Sequence, residues 1–372
     1  MKKLGLGCMR LPLMDKEDQT SFNVQLVEEM IDEFLAGGFT YFDTAYMYHK
    51  DQSEIMVREG LVKRHPRESF LLADKMPLMH LKEKEDLERY FGEQLEKTGA
   101  GYFDYYLMHN MNSGRLEKME ELDVFGFGMK MKEAGKIKRL GFSFHDDAET
   151  LDRILTMHPE VEFVQLQINY LDWDSRSVQS GRCYEVARKH GKDVIIMEPV
   201  KGGTLANIPE EAEKVLRAVR PEMSPASWAL RFVAGLEGVV MVLSGMSDMA
   251  QLKENMAIME NPEPLTKEEQ AALEKAKEII LASKMIPCTS CRYCVEGCPK
   301  NIPIPELFTF FNEENRPMAE DEKVEKRDKV YAEICRGHGK AGECLKCYKC
   351  ESACPQHIEI TKELHKIAWH FE

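Results

Sequence analysis

The chain has 372 residues, 43% hydrophobic and 31% charged, the balance of a soluble globular protein with more core than one typical domain needs. Its formal net charge of -14, with no basic stripe, argues against nucleic acid, and no run approaches the roughly 20 apolar residues of a spanning helix. The first residues lack a signal-peptide core, so a cytoplasmic location is expected, where cysteines serve as thiolate ligands and not as disulfides.

In chain order, eight short apolar or β-branched runs stand out: 4–9, 39–44, 70–75, 102–109, 139–144, 162–169, 193–200 and 239–245. Amphipathic stretches separate them, such as "QLVEEMIDEFLAGG", which stops on Gly37 and Gly38. Eight strand–helix alternations in about 250 residues predict an α/β fold, a (β/α)8 TIM barrel. An open doubly wound sheet is the rival, weakened because no GxGxxG follows the first run. Barrel chemistry sits at the C-terminal ends of strands, where Asp43, Lys75 and His109 close the second, third and fourth runs and Ser143 and Gln165 lie in the fifth and sixth. For any one of these a solvated loop or a satisfied buried group is the simpler explanation. Three ionisable types at successive strand ends are harder to explain so.

Those residues carry a resemblance. "FDTAYMYHKDQSE" with Asp43 and Tyr48, "LLADK" with Lys75 and "YYLMH" with His109 resemble the aldo-keto reductase family along residues 1 to about 283. The resemblance implies a catalytic tetrad that transfers hydride between NADP(H) or NAD(H) and a small carbonyl or alcohol. Tyr48 is then the proton donor and His109 orients the carbonyl, while Lys75 lowers the phenol's pKa and Asp43 holds Lys75. It also implies cofactor contacts at Ser143, Gln165, Lys201, Gly202, Gly203, Ser244, Gly245, Ser247, Glu254 and Asn255. Two departures stand out: Phe144 replaces the expected asparagine, and Gln251 stands where an arginine commonly meets the 2′-phosphate, so the choice between NADPH and NADH is open. "PLTKEE" looks like the start of the last barrel helix, with Thr266 and Glu269 as a capping box.

Only Cys8 and Cys183 precede residue 288; nine cysteines follow. Cys288, Cys291, Cys294 and Cys298 read C-x2-C-x2-C-x3-C-P, and Cys344, Cys347, Cys350 and Cys354 repeat it. This is the bacterial [4Fe–4S] run, whose fourth cysteine reaches the other cluster. Two [4Fe–4S] clusters are therefore expected, one on Cys288, Cys291, Cys294 and Cys354, the other on Cys344, Cys347, Cys350 and Cys298. Zinc ribbons also pair C-x2-C, but have no use for three cysteines in succession followed by C-P. The stretches between the runs read as helices, and Cys335 falls outside both patterns.

The expected organisation is a barrel at 1–283 and a small, mostly helical ferredoxin-like iron–sulfur domain at 284–372, as in the aldo-keto-reductase-like subgroup that carries such a domain. The leading reading is a nicotinamide-dependent reductase whose clusters are structural or a port to a redox protein partner. The alternative is a flavin-assisted electron-transfer protein, with FMN on the phosphate loops and vestigial carbonyl chemistry. A third makes the clusters a redox sensor.

Overall fold

The computed structural model describes residues 2–15, 18–283, 285–314 and 324–372. They fall into two compact units, Met1–Pro199 with Ser227–Leu265, and Val200–Ala226 with Thr266–Glu372.

All eight apolar runs of the first unit become strands: β1 (Leu4–Gly7), β2 (Tyr41–Asp43), β3 (Leu71–Met76), β4 (Phe103–Met111), β5 (Ile137–Phe144), β6 (Phe163–Gln167), β7 (Asp193–Met197) and β8 (Val239–Ser244). Each pairs in parallel with the next and β8 closes on β1. Such strands are covered on both faces, which is why they read as continuous apolar runs and not as alternation. Inside the barrel, Tyr41, Ala73, Tyr105, Leu107, Phe163, Ile195, Met241 and Leu243 form one core. Each fully buried large side chain contributes about 1.5–3 kcal/mol. Gly141 is required there, since a Cβ would lie 2.5 Å from Cζ of Phe163.

Helices cover the outside. Val24–Ala36 is capped by Asn23, whose Oδ1 accepts from the Leu26 N–H at 3.2 Å, and it ends at Gly37 as its sequence predicts. Among the described residues no helix is long and apolar enough to cross a membrane.

In the second unit, helices Glu210–Val219 and Lys267–Ala282 pack together. The capping box is present: the Glu269 N–H donates to Thr266 Oγ1 at 3.2 Å, and the Thr266 N–H donates to Glu269 Oε2 at 2.7 Å. Further on, helices Ile304–Glu314, Val324–Ile334 and Ile360–Phe371 gather around Ile302, Leu307, Phe308, Ile360, Leu364 and Ile367. Residues 315–323, within the stretch read as helical, lie outside the described residues. The two cysteine runs are copies in backbone as well as in spacing. Left-handed φ values recur at Ser290 and Lys346, Arg292 and Tyr348, and Asn301 and His357, while helices begin at Tyr293 and Lys349 and at Ile304 and Ile360. Every pair is 56 positions apart.

Candidate functional site

Asp43 ends β2, Lys75 lies near the end of β3 and His109 near the end of β4, and neighbouring parallel strands in register bring these ends together. Lys75 Nζ donates to Asp43 Oδ1 at 2.5 Å and to the Thr44 carbonyl at 2.7 Å. Gln165 Nε2 donates to the other Asp43 oxygen at 3.1 Å. Both members of the ion pair are buried, so the lysine's charge is largely committed to Asp43.

Tyr48, partly buried in the loop after β2, sits with its ring centroid 4.9 Å from Lys75 Nζ and 6.0 Å from the His109 ring, edge to face. Burial first, then the Asp43 charge, pushes the Tyr48 phenol well above its ordinary value. Lys75, expected to lower it, faces the ring with a charge that Asp43 largely offsets, and desolvation acts in the opposite direction. The phenol therefore keeps its proton. His109 moves the other way: burial, joined by the Lys75 charge, holds its imidazole well below the usual range, so the ring is neutral with one N–H to donate. The β4 register slips between Met108 and Met111, Asn110 takes φ 60, and its N–H donates to Ser143 Oγ at 2.8 Å. The slip aims His109, and Ser143 supports it.

A second network grips Lys75 from outside the barrel. Asp74 Oδ1 accepts from the Lys75 N–H at 2.8 Å, and Gln94 Nε2 donates to the Lys75 carbonyl at 2.9 Å. Gln94 also donates to Glu54 Oε1 at 3.0 Å and accepts from the Tyr106 hydroxyl at 2.5 Å. Burial, then Glu54, pushes the Asp74 carboxyl well up, so the Asp74–Glu54 pair holds a proton. Sequence reasoning missed these residues. An acidic residue next to the strand-end lysine was the available signal, but Glu54 and Gln94 carry none.

Of the remaining expected contacts, Ser244 Oγ accepts from Asn255 Nδ2 at 3.0 Å, and Ser227 Oγ donates to Glu254 Oε1 at 3.4 Å. The helix Met249–Glu260 is capped by Asp248, whose Oδ1 accepts from the Gln251 N–H at 2.8 Å, and the Gln251 side chain turns back so that its Oε1 accepts from the Ser247 N–H at 2.9 Å. Arg10, which sequence reasoning passed over, lies against this segment: Ser247 Oγ donates to its carbonyl at 2.9 Å, and a Cβ on Gly245 would meet Arg10 Cδ at 2.8 Å. Phe144 is buried beside Phe142. Phe125 and Phe127 lie on the helix Val124–Glu133 that follows β4 and are buried in packing.

Lys201, Gly202 and Gly203 belong to the second unit, where they form one turn. Lys201 is 2% exposed and donates from Nζ to Gln356 Oε1 at 2.8 Å. Gly202 has φ +63, and a Cβ there would stand 2.4 Å from Thr289 Cα.

The second unit contains two clefts, each lined by four cysteines. One of about 310 Å³, open mouth included, is lined by Cys288, Cys291, Cys294 and Cys354 together with Thr289 and Gln356. The other, about 330 Å³, is lined by Cys298, Cys344, Cys347 and Cys350. Among the described residues no group of three or more His, Cys, Asp or Glu side chains is gathered so as to hold a single metal ion. Backbone N–H groups already face sulfur, from Ser290 to Cys288 Sγ at 3.4 Å and from Ile302 to Cys298 Sγ at 3.5 Å. The first cleft has no exposed cysteine, whereas in the second Cys347 is exposed beside exposed Leu345 and Tyr348. Cys335 lies apart, buried in the helical core. Cys8 and Cys183 are buried in the first unit.

Comparison with known proteins places these two regions. The model of the aldo/keto reductase family matches residues 3–278, and that of a 4Fe-4S dicluster domain matches residues 287–359. A probable aldo-keto reductase of Glycine max is 27% identical over 215 residues, 55% of this chain but only 57% of the soybean protein's length. An uncharacterized oxidoreductase of Bacillus subtilis is 24% identical, covering 74% of this chain and 92% of its own. Among solved structures, a holo aldo-keto reductase from Bacillus halodurans aligns with a TM-score of 0.58 at 22% identity, over 74% of this chain and 91% of that one. An aldo-keto reductase from Klebsiella pneumoniae in complex with NADPH aligns with 0.59 at 20%, over 73% and 90%.

Proposed function

The chain belongs to the aldo/keto reductase family, and from that premise we propose that its first unit reduces a small-molecule carbonyl, or oxidises the alcohol, with NADPH or NADH, while its second unit holds two [4Fe–4S] clusters. The observation that carries the first half is the buried Lys75–Asp43 pair beneath a Tyr48 phenol that keeps its proton, with a neutral His109 against it. His109 Nδ1 is also buried with no hydrogen-bond partner, the mark of a site made to meet a polar ligand.

A bound nicotinamide supplies hydride to the carbonyl carbon. Tyr48 gives its phenolic proton to the carbonyl oxygen as negative charge grows there. The phenolate left behind faces the Lys75 ammonium, which Asp43, Gln165 and the Thr44 carbonyl hold in place. Neutral His109 donates its ring N–H to the same oxygen and fixes the carbonyl's direction. Ser143, Gln165, Ser244, Gly245, Ser247, Glu254 and Asn255 are the proposed cofactor contacts of the first unit. Arg10, which also pairs with Glu198 at 3.8 Å, stands beside Gly245 and Ser247 as the proposed cation for a cofactor phosphate, where Gln251 brings no charge.

For the clusters, support comes from the two clefts. Each joins three cysteines of one run to the fourth of the other, the exchange expected of this motif. A cluster passes one electron at a time, whereas hydride carries two, so direct exchange between the two chemistries needs a divider such as FMN. On this reading the cluster beside the exposed Cys347 is the one that a redox protein partner would reach.

The test is anaerobic protein with NADPH, then NADH, then a panel of carbonyls, following nicotinamide and cluster absorbance together. Nicotinamide consumption that needs a carbonyl and falls about 10²–10⁴-fold in Tyr48→Phe is expected. Unchanged turnover in Tyr48→Phe, with cluster bleaching before any carbonyl is added, rejects carbonyl reduction in favour of flavin-assisted electron transfer.

A further inference from the structure

The two copies of the 56-residue repeat share a backbone but not a surface. Thr289 is 2% exposed, whereas its counterpart Leu345 is 59% exposed. Arg292 is paired with Glu306, whereas its counterpart Tyr348 is 54% exposed. Ser290 and Tyr293 of the first copy become Lys346 and Lys349 in the second. The second residue after each run's fourth cysteine differs in the same way. Gln356 is buried and lines the cleft of Cys288, Cys291, Cys294 and Cys354, while Lys300 is exposed and lines that of Cys298, Cys344, Cys347 and Cys350. One quartet is thus covered, and the other opens through the exposed run Leu345–Lys346–Cys347–Tyr348–Lys349, with Lys300 lining the same cleft as Leu345 and Tyr348.

Charge distinguishes this opening from a mere gap in packing. Among the described residues, Lys300, Lys346 and Lys349 have no ion-pair or side-chain hydrogen-bond partner. The acids nearest in sequence are engaged elsewhere: Glu343 accepts from the Lys340 N–H at 2.8 Å, and Glu351 accepts from the Thr361 N–H at 2.8 Å and its Oγ1 at 2.7 Å. In a chain of net charge -14, unpaired ammoniums gathered around an exposed cysteine make a local field of the opposite sign. The charge of a cluster's thiolates lies within the cleft, and the ammoniums stand outside it, where an arriving surface meets them first. Exposed Leu345 and Tyr348 among them supply the apolar centre that a charged rim surrounds at a protein interface. We propose that Lys300 and Leu345–Lys349 form the docking face of an acidic one-electron carrier protein, Leu345 and Tyr348 packing at its centre while Lys300, Lys346 and Lys349 meet the carrier's carboxylates. One electron passes between the cluster of this cleft and the carrier's centre, the donor oxidised and the acceptor reduced by one unit, and no bond or proton moves. The proposal rests on the reading that each quartet holds a cluster, and adds to it the chemistry of the partner.

The experiment is stopped-flow mixing of the anaerobic full-length protein, reduced with dithionite and desalted, with oxidised cytochrome b5 as an acidic acceptor and oxidised cytochrome c as a basic one, each at low and high salt. The cluster loses one electron and one ferric haem becomes ferrous. The chain's net charge by itself repels cytochrome b5, so that salt speeds its reduction; docking on the lysines makes salt slow it. Lys300→Glu, Lys346→Glu and Lys349→Glu combined lower the low-salt rate constant with cytochrome b5 about tenfold and raise that with cytochrome c. The same charge change at Lys214, Lys267 and Lys275, on helices that line neither cleft, alters it less than about threefold. Should Lys346→Glu fail to load iron, Lys300→Glu with Lys349→Glu carries the test. Reduction of cytochrome b5 that speeds up with salt, or that the charge reversal leaves unmoved, overturns the proposal when the clusters are loaded and reducible. A dimer that dissociates with salt and with the charge reversal, beside unmoved cytochrome b5 rates, also overturns it and assigns the face to a second copy of this chain. Parent protein that binds no iron and has no visible absorbance sinks the cluster reading itself, and this proposal with it.

Discussion

Replacing Lys75 by methionine is a sharp test of the site's electrostatics, because it removes one half of an ion pair that water cannot reach. The Lys75 and Asp43 side chains are 1% and 4% exposed, and the bond between them is 2.5 Å long. Without the ammonium, Asp43 keeps one hydrogen bond from Gln165 and nothing to balance its charge. Breaking a buried pair this way costs about 3–5 kcal/mol, a large share of the roughly 5–15 kcal/mol that holds a domain together. At about 2–4 °C per kcal/mol for a unit of this size, the barrel's melting midpoint falls by roughly 6–20 °C. Asp43→Asn combined with Lys75→Met removes the stranded charge and recovers most of the loss. Thermal melts followed by circular dichroism give both numbers. A single variant that melts within about 2 °C of the parent, or a double variant no better than the single, refutes the claim that an uncompensated buried carboxylate is what Lys75 prevents.

The cysteine exchange can be tested by epistasis. Cys354→Ser and Cys288→Ser each lower bound iron from about eight to about four, and the double variant loses no more, because both serve one cluster. If the runs bind within themselves, the double variant falls to nearly zero, which iron analysis reads directly. Burial and Glu54 raise the folded pKa of Asp74, so the native state binds more protons than the unfolded chain from about pH 4 upward, and stability falls as pH rises through that window. The slope is at most about 1.4 kcal/mol per pH unit. Asp74→Asn keeps the acceptor for the Lys75 N–H and flattens the dependence; denaturant midpoints at pH 5 and pH 8 that show the same slope in parent and variant would count against a protonated Asp74.

The eight strands were legible because a barrel strand buries both faces and leaves a dense apolar signal in six to eight consecutive residues. The cysteine runs were legible because a cluster's ligands are local in sequence. Asp43, Lys75 and His109 were found because strand ends are marked in the sequence, and Tyr48 through the resemblance that those residues carry. What escaped is non-local. Gln165 reaches Asp43 across 122 positions and Lys201 reaches Gln356 across 155. Neither partner carries a local mark of the contact. The Tyr48 phenol shows the same limit: the sequence names the cation beside it but not the desolvation that opposes that cation, nor how fully Asp43 absorbs its charge.

The 56-residue repeat of the second unit has a consequence for how such a structure comes together. Each copy offers three sulfurs to one cleft and lends its fourth to the other, so a single copy cannot complete either set. Alone, it would have to meet a second molecule. Joined in one chain, the two copies behave as a dimer written end to end, and the residues between them turn a bimolecular encounter into an intramolecular one with an effective concentration in the millimolar range. Completion of both cysteine sets is then insensitive to dilution, and independent of how much of the protein the cell makes.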